Sequence, residues 1–264
     1  MRIGFIGAGS MGSAIIGGAI ESGKYRGSDF VVTDVNSEKA QSLAGKYSLT
    51  ALASVAEVIA GAEMIVLAVK PQHQGDILAN NDWQGRLLVS IAAGRATDTI
   101  AAEARETRVV RVMPNVNALI GQAACGICSA EGASETDMQA VRELFATCGT
   151  VDDIDESLFG AFSALAGCSP AWVYRMINSM AAAGVAAGLP KATATRVAAQ
   201  AFSGSAQMVL SGLANGRHPE SLVDMVTSPG GTTIAGLLAG ESAGMSVAIQ
   251  QAVRAAITRD AELD

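Results

Sequence analysis

Gly7-Ala8-Gly9-Ser10-Met11-Gly12 is the stretch whose reading decides the fold. It follows a short apolar run, residues 2–6, and opens a helix-like segment over residues 10–22. Glycines at this spacing between a strand and a helix have a mechanical reading. Gly7 makes the tight turn, Gly9 lets the backbone approach a pyrophosphate, and Gly12 lets helix and strand lie close together. The helix start then offers free N–H groups and the positive end of its dipole to an anion. A glycine turn of purely structural use is the plainer reading. The strand–turn–helix setting, repeated downstream, favours a dinucleotide.

Working outward, short continuous apolar runs occupy residues 2–6, 30–33, 64–69, 87–91 and 108–112. Helix-like segments alternate with them at 10–22, 38–44, 54–60, 72–78 and 97–103. Runs that are apolar throughout suit parallel strands covered on both faces. This alternation predicts an α/β N-terminal domain, a doubly wound Rossmann-type sheet. One more strand, 123–129, and a helix, 135–148, are expected to finish it. After residue 155 everything reads as helix. The predicted domains are 1–154 for dinucleotide binding and 155–264, an all-α C-terminal domain for substrate binding and oligomerisation.

Charge is spread unevenly. Between Glu156 and Glu220 there is no acidic residue, and only Arg175, Lys191, Arg196 and Arg217 carry positive charge. Helices so poor in charge are apolar nearly all round and must be buried. A helical domain of this length cannot cover that surface by itself. A partner copy is therefore expected, with burial against the first domain as the alternative. Segments 157–174 and 197–216 have membrane-span length but are built of Ala, Gly, Ser and Gln, so no membrane role is predicted. Half of the 264 residues are hydrophobic, which excludes bulk disorder, and a net charge of −7 argues against nucleic acid. The N-terminus shows no signal-peptide pattern, and four cysteines are too few for a disulfide scaffold. A cytoplasmic protein is expected.

Ligands of such sheets bind beyond the carboxyl ends of the strands. Asp34 ends the second run. It reads either as an acceptor for the ribose 2′-hydroxyl, favouring NADH over NADPH, or with Asn36 as a cap for the next helix. Ala68-Val69-Lys70-Pro71 and Ile91-Ala92-Ala93 end the third and fourth runs, and their small residues leave room for ribose and nicotinamide. Asn115 reads as a polar contact near the nicotinamide or as part of a Pro-Asn turn. Cys125 and Cys128 form a CxxC within a strand-like run, where they point to opposite faces, so no metal site is predicted. In the second half, Ser228-Pro229-Gly230-Gly231-Thr232-Thr233 breaks two helices with glycines beside hydroxyl groups. This is either a carboxylate site or a capped helix–loop–helix connection.

These residues together resemble the Δ1-pyrroline-5-carboxylate reductase family. The likeness runs the length of the chain, through Phe5-Ile6-Gly7-Ala8-Gly9, Ala68-Val69-Lys70-Pro71, Ser90-Ile91-Ala92-Ala93-Gly94, Arg111-Val112-Met113-Pro114-Asn115, Ser169-Pro170-Ala171 and, most specifically, residues 224–233. The resemblance implies NADPH or NADH as hydride donor and reduction of pyrroline-5-carboxylate to L-proline. It implies a C-terminal domain that interlocks with a second subunit into dimers, in many members decamers. It makes Ile6, Gly7, Ala8, Gly9, Ser10, Met11, Gly12, Asp34, Ala68, Val69, Lys70, Pro71, Ile91, Ala92, Ala93 and Asn115 the cofactor-binding set. Ser228, Gly230, Gly231 and Thr232 would hold the substrate carboxylate, with the Thr233 hydroxyl at the ring nitrogen. Three places depart from the family pattern: 166–172 reads Ala-Gly-Cys-Ser-Pro-Ala-Trp, Val116-Asn117 replaces Thr-Pro, and Asp34 stands where a small or basic residue accompanies NADPH. Reduction of another cyclic imine, such as pyrroline-2-carboxylate, and a non-catalytic dinucleotide-binding regulator are the alternatives.

Overall fold

The computed structural model describes residues 1–262 and divides into two units, Met1–Gly167 joined by the chain end from Ile257, and Cys168–Ala256. The first unit opens as β1 (Ile3–Ile6), α1 (Ser10–Glu21), β2 (Phe30–Thr33), α2 (Ser37–Tyr47), β3 (Thr50–Ala51) and α3 (Val55–Gly61). It continues through β4 (Met64–Leu67), α4 (Gln74–Ala79), β5 (Leu87–Ser90), α5 (Thr97–Glu103) and β6 (Arg108–Met113). β7 (Ala123–Ser129), α6 (Glu135–Phe145), β8 (Gly149–Asp153) and the short α7 (Phe159–Phe162) complete it. The strands form one eight-stranded sheet in the order β3-β2-β1-β4-β5-β6-β7-β8. All neighbours are parallel except β6 and β7, which pair antiparallel.

Alternate residues along each strand supply two separate cores, as the period of two requires. Phe5, Val32, Val66, Val89, Val112 and Ile127 face α1 and α6, meeting Ile15, Ile16, Leu144 and Phe145. Val31, Ile65, Leu67, Leu88 and Val109 face the other way, onto Val58, Leu78, Trp83 and Ile100 of the opposite helices and loop. The sheet is doubly wound.

One expectation needs correction. The helix expected over 135–148 ends at Phe145, and a further strand, β8, follows it. β8 is an edge strand, half-exposed, with the sequence Gly-Thr-Val-Asp-Asp. Such a strand carries no continuous apolar run to betray it. By packing, residues 155–167 group with the first unit.

The second unit is helical: α8 (Ser169–Ala186), α9 (Lys191–Ala214), α10 (Pro219–Val226), α11 (Thr232–Ser242) and α12 (Met245–Ala261), whose last turn returns to the first unit. α8 and α9 pack through small residues; a methyl group at Gly184 would stand 3.3 Å from the Ala194 Cβ. The buried apolar cluster of this unit is small: Ala181, Ala194 and Ala198, with Ile177 packed against them. Met180, Val185, Val197, Met208, Leu210 and Leu213 stay exposed in the single chain. So little burial cannot offset the entropy of ordering these helices. This is the apolar surface that the charge-poor sequence anticipates.

Candidate active site

The parallel strands β1, β2, β4, β5 and β6 all end at one edge of the sheet, and the glycine loop leaves β1 there. Gly7 has φ +111°, and a Cβ on it would stand 2.6 Å from the Ala68 carbonyl oxygen. Only glycine satisfies both limits. A Cβ on Gly12 would reach 2.5 Å from the Gly7 carbonyl oxygen, so Gly12 sets how closely α1 lies to β1. Gly9 differs: nothing lies within 4 Å of the place a Cβ would take. It caps α1 without a side chain, leaving the first-turn amides to face outward. The three glycines thus divide into turn, approach and packing.

Asp34 turns toward this loop. Its Oδ2 accepts from the Ala8 amide at 2.7 Å and its Oδ1 from the Asn36 amide at 2.9 Å. The side chain capping α2 is Asn36, which accepts from the Glu38 amide at 3.0 Å, so the capping role is not Asp34's. Asp34 instead ties the end of β2 to the glycine loop. An open cleft of about 910 Å³ beside α1 is walled by Ala8, Gly9 and Ser10 together with Asn36, Glu38 and Lys39.

Further along the same edge, Lys70 is exposed and precedes a short 3₁₀ turn begun by Pro71, while Ala68 and Val69 are half-buried. Ile91 is half-buried, Ala92 buried and Ala93 exposed. Buried polar groups back these positions. Gln74 donates from Nε2 to the Val69 carbonyl at 3.4 Å and accepts the Ser90 hydroxyl at 3.3 Å, and Ser90 Oγ accepts from the Ala92 amide at 3.4 Å. Gln74 therefore links the two strand ends. Asn115 is buried, with its amide occupied inside the chain: Nδ2 donates to the Ala166 carbonyl at 2.9 Å and Oδ1 accepts from the Ala124 amide at 3.4 Å.

A further cluster, marked by no single sequence motif, joins β6 to the start of α5. Glu156 accepts from the Thr97 amide at 2.8 Å, the Thr97 hydroxyl at 2.6 Å and Arg111 Nη1 at 2.9 Å. Arg111 also lies over the Phe159 ring, 4.5 Å from its centroid. Burial raises the Glu156 pKa, but Thr97 and Arg111 outweigh it and hold the carboxyl below its ordinary value. The available signal was Arg111 itself, a charge inside an apolar strand, which requires a partner. Cys125 and Cys128 have thiols pushed up to about 12, first by burial. Such thiols are protonated and poor nucleophiles near neutrality.

In the second unit, α10 ends at Val226, and the Thr227 hydroxyl donates back to the Val223 carbonyl at 3.1 Å. Gly230 has φ +67° and Gly231 caps α11 without a side chain. A Cβ on Gly231 would stand 2.4 Å from Ser228 Oγ, so this glycine lets the serine hydroxyl fold over the helix start. Ser228, Thr232 and Thr233 are exposed around that start. The loop brings together hydroxyls and uncapped amides, the chemistry of a carboxylate cradle. His218, by contrast, caps α10 through Nδ1, accepting from the Glu220 amide at 3.2 Å. Among the described residues no group of three or more His, Cys, Asp or Glu side chains could hold a metal ion. No single described helix is long and apolar enough to cross a membrane; Thr232–Ser242 and Met245–Ala261 reach that length only as a pair bent by 50°.

A Rossmann sheet with this glycine loop, followed by a helical unit, defines a dinucleotide-dependent oxidoreductase of two-part build. The comparisons agree for each half. Residues 2–94 match the family described as NADP oxidoreductase coenzyme F420-dependent, and residues 156–263 match pyrroline-5-carboxylate reductase dimerisation. The helical half is thus a self-association domain. Pyrroline-5-carboxylate reductase of Methanosarcina acetivorans is 39% identical, over 99% of this chain and 97% of that protein. The Escherichia coli enzyme of that name is 36% identical over 99% and 98%. The crystal structure of Plasmodium falciparum pyrroline carboxylate reductase with NADP bound superposes with TM-score 0.87 and 29% identity, covering 100% of this chain and 98% of that one. The Coxiella burnetii reductase gives TM-score 0.89 at 28% identity over 100% and 98%. The chain belongs to the pyrroline-5-carboxylate reductase family.

Proposed function

We propose that the protein reduces L-1-pyrroline-5-carboxylate to L-proline with NADPH or NADH, as a cytoplasmic enzyme of proline biosynthesis. Full-length likeness to reductases of that name, with the Ser228–Thr233 loop complete, is the observation that carries this reading. The open space at Gly9 and the bare start of α1 fit a pyrophosphate. Ile6 through Gly12 hold that group, with Asp34 fixing the loop. Ala68 to Pro71 and Ile91 to Ala93 border the ribose and nicotinamide, backed by Gln74 and Ser90. When bound, the reduced nicotinamide supplies from C4 the hydride that adds to C5 of the protonated imine and leaves a neutral amine.

Ser228, Gly230, Gly231 and Thr232 take the substrate carboxylate through hydroxyl and amide donors, as the first turn of α11 favours an anion. Thr233 accepts from the imine N–H and keeps that nitrogen oriented. Little acid–base chemistry is then asked of the protein; its work is positioning and exclusion of water. The exposed apolar faces of α8 and α9 are read as the dimer surface, and dimers as the unit from which larger rings assemble.

Oxidation of NADPH and of NADH with pyrroline-5-carboxylate tests the reading, beside the pyrroline-2-carboxylate isomer, with proline identified as product. Turnover of the 2-carboxylate alone would replace the substrate. Cofactor binding without turnover of either would replace the enzyme by a regulator.

A further inference from the structure

Asn115, which closes the motif Arg111-Val112-Met113-Pro114-Asn115, spends both ends of its side-chain amide on the backbone of the chain itself. Asn115 is 6% exposed, and its amide bridges the backbone of β7, through Ala124, to the carbonyl of Ala166. Ala166 lies in a π-helical turn, Ser163–Cys168, between α7 and α8. π-turns are rare and concentrate at functional places. The cause here is readable in the sequence. In an α-helix the carbonyl of residue 166 would accept from the N–H of residue 170, but residue 170 is proline and has none. A proline ring also crowds the carbonyl four residues before it. Asn115 Nδ2 brings a donor to that same carbonyl. The surrounding packing keeps the turn in place: the Phe162 ring lies on Gly126, where a Cβ would come within 3.0 Å of it, and Met113 Cε touches the Gly167 position at 3.5 Å.

We propose that Asn115 is a positioning residue: it replaces the N–H missing at Pro170 and holds the π-turn from which the substrate-binding half of the chain departs. The Met113-Pro114-Asn115 and Ser169-Pro170-Ala171 motifs are thereby one device. Asn115 acts through the turn, and touches neither substrate nor cofactor. The kinetic consequence rests on the function proposed above; the structural consequence does not.

The test uses the full chain with Asn115→Ala, Asn115→Asp, Pro170→Ala and the double variant Asn115→Ala/Pro170→Ala. Asn115→Ala should speed amide exchange across residues 163–170 and leave the NADPH Kd within about twofold of wild type. It should lower kcat/KM for pyrroline-5-carboxylate roughly five- to twentyfold, the loss of one hydrogen bond. Restoring an N–H at residue 170 gives the carbonyl its own donor. The Asn115→Ala effect should therefore shrink by at least half in the Pro170→Ala background, a non-additivity that an unrelated stability loss does not produce. Asn115→Asp keeps size and the bond to Ala124 but sets a carboxylate oxygen against Ala166; if Asn115→Ala does not fold, this variant must show the same pattern. A weakened NADPH Kd with unchanged exchange over 163–170 would overturn the proposal and make Asn115 a cofactor contact. Equal effects of Asn115→Ala with and without Pro170 would overturn it too. Absence of wild-type turnover would count against the proposed reaction only, since exchange still decides the role of Asn115.

Discussion

Gly9→Ala separates ligand approach from folding more cleanly than any other change in the glycine loop. Gly9 has φ −72° and ψ −176°, a conformation open to any residue, and no atom lies within 4 Å of the added methyl. Alanine restricts the unfolded chain, a gain of about 0.4–1 kcal/mol, but it is a poorer N-cap than glycine by a similar amount. The two nearly cancel. The melting temperature of the cofactor-free protein should stay within about 3 °C of wild type. The methyl group would, however, occupy the path by which the pyrophosphate reaches the α1 amides. Losing one charge-assisted hydrogen bond costs about 1.5–3 kcal/mol, so Kd should weaken roughly 10- to 100-fold. Thermal melts and fluorescence titration with NADPH measure the two effects separately. Gly12→Ala is the contrast. Its Cβ would stand 2.5 Å from a backbone oxygen, which cannot move aside cheaply. It should lower the melting temperature by roughly 3–10 °C. An NADPH Kd unchanged in Gly9→Ala, or a large drop in its melting temperature, would refute the division of labour assigned to these glycines.

Thr233→Val keeps shape and branching while deleting the hydroxyl that meets the charged imine, and should lower kcat/KM by roughly 10- to 100-fold, mainly through a raised KM; a lower melting temperature with normal kcat/KM would make Thr233 a mere helix cap. Asp34→Ser removes both the tie to the Ala8 amide and a negative charge, so both cofactors should bind less well, but the Kd ratio should shift roughly three- to tenfold toward NADPH. An unmoved ratio would assign Asp34 to the loop tie alone. Glu156 has its folded-state pKa lowered, so its stabilisation is present above the ordinary carboxylate value and lost as pH falls through the lower folded value. The melting-temperature gap between wild type and Glu156→Gln should therefore be constant above about pH 5 and narrow on further acidification; a gap that stays constant down to strong acid would contradict this.

Much of the first unit can be read locally. Continuous apolar runs mark β1, β2, β4, β5 and β6, because a strand covered on both faces needs no alternation. The glycine loop and the Pro-Gly-Gly break are equally local, since they depend on backbone freedom at single positions. β8 escaped because an edge strand is half-solvated and Asp152 and Asp153 spoil its pattern. β3 escaped because it is two residues long.

The sequence by itself determined the alternating architecture, the glycine turn that follows the first strand, the Pro-Gly-Gly break with its flanking hydroxyl residues, and the charge-poor helices that need a partner. All of these follow from composition and spacing within one or two elements. Tertiary structure alone decided which polar groups meet across the chain. Asp34 reaches back 26 residues to Ala8, Asn115 forward 51 residues to Ala166, and Glu156 returns 59 residues to Thr97. A buried hydrogen-bonding group takes whichever partner the strand order brings beside it, and that order is set by the packing of the whole sheet rather than by neighbours in sequence.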